Sequence, residues 1–155
     1  MSARERTTTF FVVTNALFIA AGSTTAAAAL YPAFGSPRFI TVAALAIILG
    51  AAIAVVCDRL RRSGWVAAGI AAVVYVAVGL AFAIPGVRSG TVSLITGLME
   101  LVRGPIGGWK DIVTLPLPLG EYGATLVPVL ALLLGGTVLA TWLAVRTRRW
   151  WGISV

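Results

Sequence analysis

Apolar residues run almost unbroken through four stretches of this chain, approximately Phe10–Leu30, Phe39–Cys57, Trp65–Ile84 and Tyr122–Val145, and none of these contains Asp, Glu, Lys or Arg. A bilayer's hydrocarbon core is roughly 30 Å thick and a helix rises about 1.5 Å per residue, so about 20 apolar residues suffice to cross it. Each stretch is about that long, and the pattern predicts an all-α integral membrane protein with four transmembrane helices. Between the first two, Tyr31, Pro32, Gly35, Ser36 and Pro37 predict a tight turn. Pro37 suits the first turn of the next helix, where its missing N–H costs little. The segment Asp58–Gly64 makes a second short turn, and Trp65 marks the return to the interface. The four spans then form a single membrane domain over 1–155, built from antiparallel hairpins.

The long connection Pro85–Glu121 has a different pattern. Val92, Ile95, Met99 and Val102 recur at helical spacing, with Leu94, Leu98 and Leu101 beside them. This predicts an amphipathic helix of about 12 residues, started by Ser89 and stopped by Gly104-Pro105, too short to span and so lying in the interface or re-entering the membrane. Trp109 then anchors the chain at headgroup depth, and the prolines of Leu115-Pro116-Leu117-Pro118-Leu119-Gly120 hold it extended, because residues before proline avoid the helical region. Pro128 is expected either to kink span four or to mark its true start.

Small residues recur every four positions in each span: Ala20, Thr24 and Ala28; Ala46, Gly50 and Ala54; Ala71, Tyr75, Gly79 and Ala83; Leu132, Gly136 and Ala140. Such stripes let helix backbones approach closely and are read as packing faces. The opening segment, with Arg4 and Arg6 before an apolar run and small residues from Ser23 to Ala29, has features of a secretory signal. Its apolar character persists through Leu30 and Tyr31, longer than a signal's core, and the segment reads as a retained helix.

Composition sharpens this picture: 59% of residues are hydrophobic, 11% are charged and mean hydropathy is +1.00. The formal net charge of +7 does not point to nucleic acid, because the basic residues cluster at the ends of the apolar runs. Arg4 and Arg6, then Arg59, Arg61 and Arg62, then Arg146, Arg148 and Arg149 fall on one side of the predicted bundle. The other side carries Arg38, Arg88, Arg103 and Lys110, offset by Glu100, Asp111 and Glu121. The positive-inside tendency then places both termini in the cytoplasm and the connection 85–121 outside, in a bacterial plasma membrane crossed several times. The preference for Arg over Lys, with abundant Ala, Val and Gly, fits a high-GC bacterial genome.

Chemistry is sparse. The chain contains no histidine and one cysteine, so Ser-His and Cys-His nucleophiles, histidine-ligated metals and haem, an intramolecular disulfide and a thiolate metal cage are all excluded. Cys57 reads as a small buried residue. Gly104–Gly108 lacks the Lys-Ser/Thr of a phosphate loop. No catalytic, cofactor-binding or metal-binding residue is assigned, and the chain is expected not to be an enzyme. Asn15 reads as an interhelical hydrogen-bonding group.

From Gly107 to Arg149 the succession Gly107-Gly108-Trp109-Lys110-Asp111, then Pro116, Pro118 and Gly120, then Leu126-Val127-Pro128 opening a span that ends Arg146-Thr147-Arg148-Arg149, resembles the N-terminal membrane domain of actinobacterial transglutaminase-like membrane proteins of the TgpA type. The preceding hairpins are compatible with that domain. The resemblance implies several spans followed by an extracytoplasmic domain with a Cys-His-Asp triad and a further span, at the cell envelope; association with a cytoplasmic MoxR-type ATPase is implied in the same way. No residue here matches the triad. Trp150 to Val155 read as a helix just entered, so the chain is expected to be part of a longer protein.

Three functions follow as expectations. The first is a non-catalytic membrane anchor or scaffold whose partners are the lipid bilayer and an attached extracytoplasmic domain or other membrane subunits. The second is a small permease or a subunit of a transport complex, with Thr14, Asn15, Ser23 and Thr24 lining a path. The third is chemistry on a lipid-linked substrate through Glu100, Lys110 or Asp111. The rarity of charge within the spans favours the first.

Overall fold

The computed structural model describes residues 3–114 and 125–151, and every regular element among them is helical. In chain order these are α1 (Ala3–Phe34), α2 (Pro37–Arg59), α3 (Gly64–Val78), which runs into a π-turn at Gly79–Ala83, α4 (Pro85–Arg88), α5 (Leu94–Thr114) and α6 (Leu126–Trp151). Four helical stretches are long and apolar enough to cross a membrane: Phe10–Phe34, Pro37–Arg59, Gly64–Ala83 and Leu126–Arg146. They correspond to the four predicted spans. The first predicted turn starts later than expected, since α1 continues through Tyr31 and Pro32 to Phe34. The predicted Tyr122–Ala124 start of the last span and the Pro116–Glu121 segment lie outside the described residues.

The helix ends follow from local chemistry. Gly35 adopts φ 60°, and its N–H donates to the Tyr31 carbonyl at 2.8 Å, closing α1 in a left-handed cap that suits glycine. Ser36 is buried and its hydroxyl accepts from the Arg38 N–H at 3.2 Å, with Pro37 at the first helical position of α2. Phe34 and Phe39 stack across this turn with ring centroids 4.9 Å apart. Pro128 sits in the first turn of α6, where its missing N–H leaves no intrahelical bond broken, so it marks the helix start.

α2 is the central helix, packed on α1, α3 and above all α6. Ala46, Gly50 and Ala54 form its buried stripe, as expected from their spacing. At Gly50 the approach is closest: a Cβ there would lie 3.1 Å from the Thr137 Cβ and 3.2 Å from the Leu134 carbonyl oxygen. Gly79 and Ala83 are likewise buried, with Ala71 and Tyr75 half-buried. On α1 the buried positions among those described are instead Val12, Ala16, Ala27 and Phe34, with Thr24 and Ala28 exposed. On α6 the stripe Leu132, Gly136 and Ala140 is exposed, and the packed face is Leu130, Leu133, Leu134, Thr137 and Thr141. Two of the four small-residue stripes are therefore not packing faces within this chain. Within an 18-residue apolar stretch of each span, 6% of the α1 residues are buried and 56% of those of α6. With Phe10, Leu17 and Phe18 open, α1 is a peripheral helix whose outer surface needs an apolar surrounding.

α5 corrects the sequence reading most. It starts at Leu94, not near Ser89: Ser93 is its cap, accepting from the Thr96 N–H at 3.2 Å, while Ser89 donates to the Gly86 carbonyl and closes the α4 turn. It also runs straight through Gly104-Pro105 to Thr114. Proline at 105 deprives the Leu101 carbonyl of its intrahelical donor, and the Tyr75 hydroxyl donates to that oxygen instead, at 2.8 Å. Gly97, Leu101, Gly104 and Gly108 form the buried face of α5. Any Cβ at Gly104 would collide with Val127, and one at Gly108 would lie 2.6 Å from Pro128 Cγ. Ile95, Met99, Val102 and Ile106 project away from the bundle.

Candidate functional site

The residues proposed for transport are not gathered into a path. Thr14 and Thr24 are exposed, and each returns its hydroxyl to its own helix, to the carbonyls of Phe10 and Ala20 at 2.8 Å. Ser23 turns inward and shares a hydrogen bond with Thr137 at 3.2 Å, which ties α1 to α6. Asn15 is half-buried. The residues proposed for chemistry are likewise apart: Glu100 and Lys110 lie on one helix, about 15 Å from each other along its axis at 1.5 Å per residue. The Asp111 side chain and Glu121 lie outside the described residues, and among those described no three His, Cys, Asp or Glu side chains are placed to hold a metal ion. Cys57 is a buried free thiol.

What the fold does assemble is a cleft of about 1140 Å³ between the α2–α3 turn, the start of α3 and the last turns of α6. Arg61, Arg62 and Arg146 line its mouth together with Asp58. Among the described residues no ion pair is found at Arg61 or Arg62, and both are exposed. The Arg146 guanidinium lies over the Trp142 ring, 4.7 Å from its centroid, a cation–π contact that holds the charge at the cleft wall. Trp142 in turn rests against the first residue of α3: a Cβ at Gly64 would lie 2.9 Å from Trp142 Cζ2. Trp65 stands beside them, exposed. Deeper in, the walls are apolar and small, with Ala67, Ala71, Gly135, Val138 and Leu139.

The backbone at the mouth is unusual. The Arg62 N–H donates to the Cys57 carbonyl and the Arg61 N–H to that of Asp58, both at 2.9 Å, so α2 ends in a Schellman motif. Its left-handed position, normally glycine, is Arg61 at φ 52°. An L-residue with a Cβ pays about 1 kcal/mol or more for that conformation. The turn thus carries an arginine where backbone stability alone favours glycine.

From sequence, these arginines read only as markers of orientation and Trp65 only as a marker of the interface, and Trp142 carried no reading. The missed signal was that both flanks of the cleft carry Arg and Trp together, at Arg61–Trp65 and at Trp142–Arg146. No family of proteins, curated protein or solved structure matches this chain.

Proposed function

We propose that this chain is a non-catalytic membrane anchor: a four-pass domain of a bacterial plasma membrane with both termini cytoplasmic, which holds an attached extracytoplasmic domain or neighbouring subunits in place. The observation that carries the reading is the closed α2–α6 contact. At Gly50 the two helices approach so closely that even a Cβ would lie 3.1–3.3 Å from Thr137 and Leu134 and require them to give way, and Thr137 beside it is occupied by Ser23. A solute path through the centre needs space and free polar groups there. The arginine-rich turns supply the orientation.

On this reading α5 is the interfacial helix. Spaced at about 100° per residue, its surface divides into three sectors: a bundle-facing one at Gly97, Leu101, Gly104 and Gly108, an apolar one at Ile95, Met99, Val102 and Ile106, and a polar one at Thr96, Arg103 and Lys110. A helix lying along the side of a bundle at the membrane surface meets protein, lipid and water in that way.

The likeness of Gly107–Arg149 to transglutaminase-like membrane proteins supports the identity of the attached domain as an envelope enzyme. Reading the native gene past the Val155 codon tests this: a frame that continues into a domain with Cys, His and Asp supports it, and a stop codon overturns it. The permease reading predicts solute- or ion-dependent flux in proteoliposomes. Such flux would overturn the anchor.

A further inference from the structure

The cleft beside the α2–α3 turn has the polarity of a lipid molecule, and we infer that it binds one anionic phospholipid, its phosphate at Arg61, Arg62 and Arg146 and the start of an acyl chain between α3 and α6. The inference rests on the membrane reading above. Three guanidiniums against the single carboxylate of Asp58 leave the mouth with a net positive charge. Arginine forks match phosphate oxygens in pairs. Trp142 fixes one of the three in place, since Arg146 lies over its ring at 4.7 Å.

The depth of the cleft distinguishes a lipid from a soluble anion. From Trp65 to Ala71 along α3 is about 9 Å, and from Arg146 to Gly135 along α6 about 16 Å, at 1.5 Å per residue. The charged groups occupy one end of that length with Ser63, Trp65 and Trp142 beside them, and the remainder is Ala, Gly, Val and Leu. A free phosphate ion has no use for the apolar part, whereas a phospholipid needs both. The strain at Arg61 agrees: a left-handed arginine closing the Schellman motif costs stability that a glycine would not, and it places a third positive charge at the mouth.

The test uses the intact chain, purified in an uncharged detergent and titrated with phosphatidylglycerol or with phosphatidylcholine of the same acyl chains, with bound lipid counted by native mass spectrometry. One phosphatidylglycerol is expected to be retained in preference to phosphatidylcholine. The triple variant Arg61→Gln, Arg62→Gln, Arg146→Gln is expected to bind it about a hundredfold more weakly, at about fivefold per basic side chain. The double variant Arg88→Gln, Arg103→Gln, at exposed positions outside the cleft, is expected to bind as the parent does.

Equal loss in the two variants, no loss in the triple variant, or displacement of the lipid by excess inorganic phosphate would each overturn the site. If the triple variant does not fold, single Arg62→Gln and Arg146→Gln substitutions decide in the same way. Flotation with phosphatidylcholine liposomes separates this from the underlying reading. A chain that fails to float overturns the membrane assignment, and one that floats without a phosphatidylglycerol preference overturns only the cleft.

Discussion

Tyr75 on α3 donates its hydroxyl to the carbonyl of Leu101 on α5 at 2.8 Å, and that carbonyl is the one whose helical partner, position 105, is a proline with no N–H. The bond therefore joins two helices and repairs one of them. Tyr75→Phe is expected to destabilise the fold by about 1 kcal/mol, the range of interhelical hydrogen bonds in membranes. In a Pro105→Ala background, where the backbone supplies its own donor, the same substitution is expected to cost much less. A double-mutant cycle on thermal unfolding in detergent reads the coupling. Purely additive effects would show that Tyr75 does not compensate for Pro105.

Gly50 and Gly136 give opposite expectations from the same change. At Gly50 a Cβ meets the Thr137 side chain and the Leu134 backbone within 3.3 Å, whereas nothing lies within 4 Å of one at Gly136. Gly50→Leu is expected to lower stability by about 1–3 kcal/mol or more through overpacking, and Gly136→Leu to leave it within about 0.5 kcal/mol. Thermal midpoints measured side by side decide. Equal loss at both positions would mean that α6 packs through the Leu132–Gly136–Ala140 face after all.

Arg61 occupies a backbone conformation that favours glycine, at φ 52°. Arg61→Gly is expected to raise stability by about 1 kcal/mol by relieving that conformation, while weakening retention of phosphatidylglycerol about fivefold. Stability and binding moving in the same direction would contradict the trade between turn strain and charge.

Orientation is checked at Ser63, an exposed residue of the α2–α3 turn. With Cys57→Ser removing the native thiol, Ser63→Cys is expected to resist membrane-impermeant maleimide in intact cells and to react once the membrane is opened. Labelling from outside would reverse the proposed topology and with it the positive-inside reading.

Gly64 holds the cleft wall by omission, since its hydrogen leaves room for Trp142. Gly64→Val is expected to push that ring, and Arg146 with it, away from the mouth. The checkable outcome is loss of phosphatidylglycerol preference with the helical circular dichroism unchanged. Retained preference would mean that Trp142 does not position Arg146.

The sequence by itself determined the four membrane-length helices and the opening of α2 at Pro37, because these depend on local quantities. A run of about 20 apolar residues is long enough to span whatever it packs against, and Gly35, Ser36 and Pro37 close and open helices through their own backbone chemistry. It misjudged α5, since Gly104-Pro105 is a stop signal only when the orphaned carbonyl has no other donor, and that donor came from Tyr75, 26 positions from Leu101 along the chain.

Only the tertiary structure decided which faces are buried. In a chain this apolar, lipid tails resemble leucine as closely as the protein interior does, so polarity carries no record of inside and outside. Four small-residue stripes were equivalent on paper. Packing buried that of α2, buried or half-buried that of α3, and left those of α1 and α6 largely open. The cleft is tertiary for the same reason: Arg61 and Arg62 meet Arg146 only because α6 folds back along α2, and no local pattern spans the interval between them.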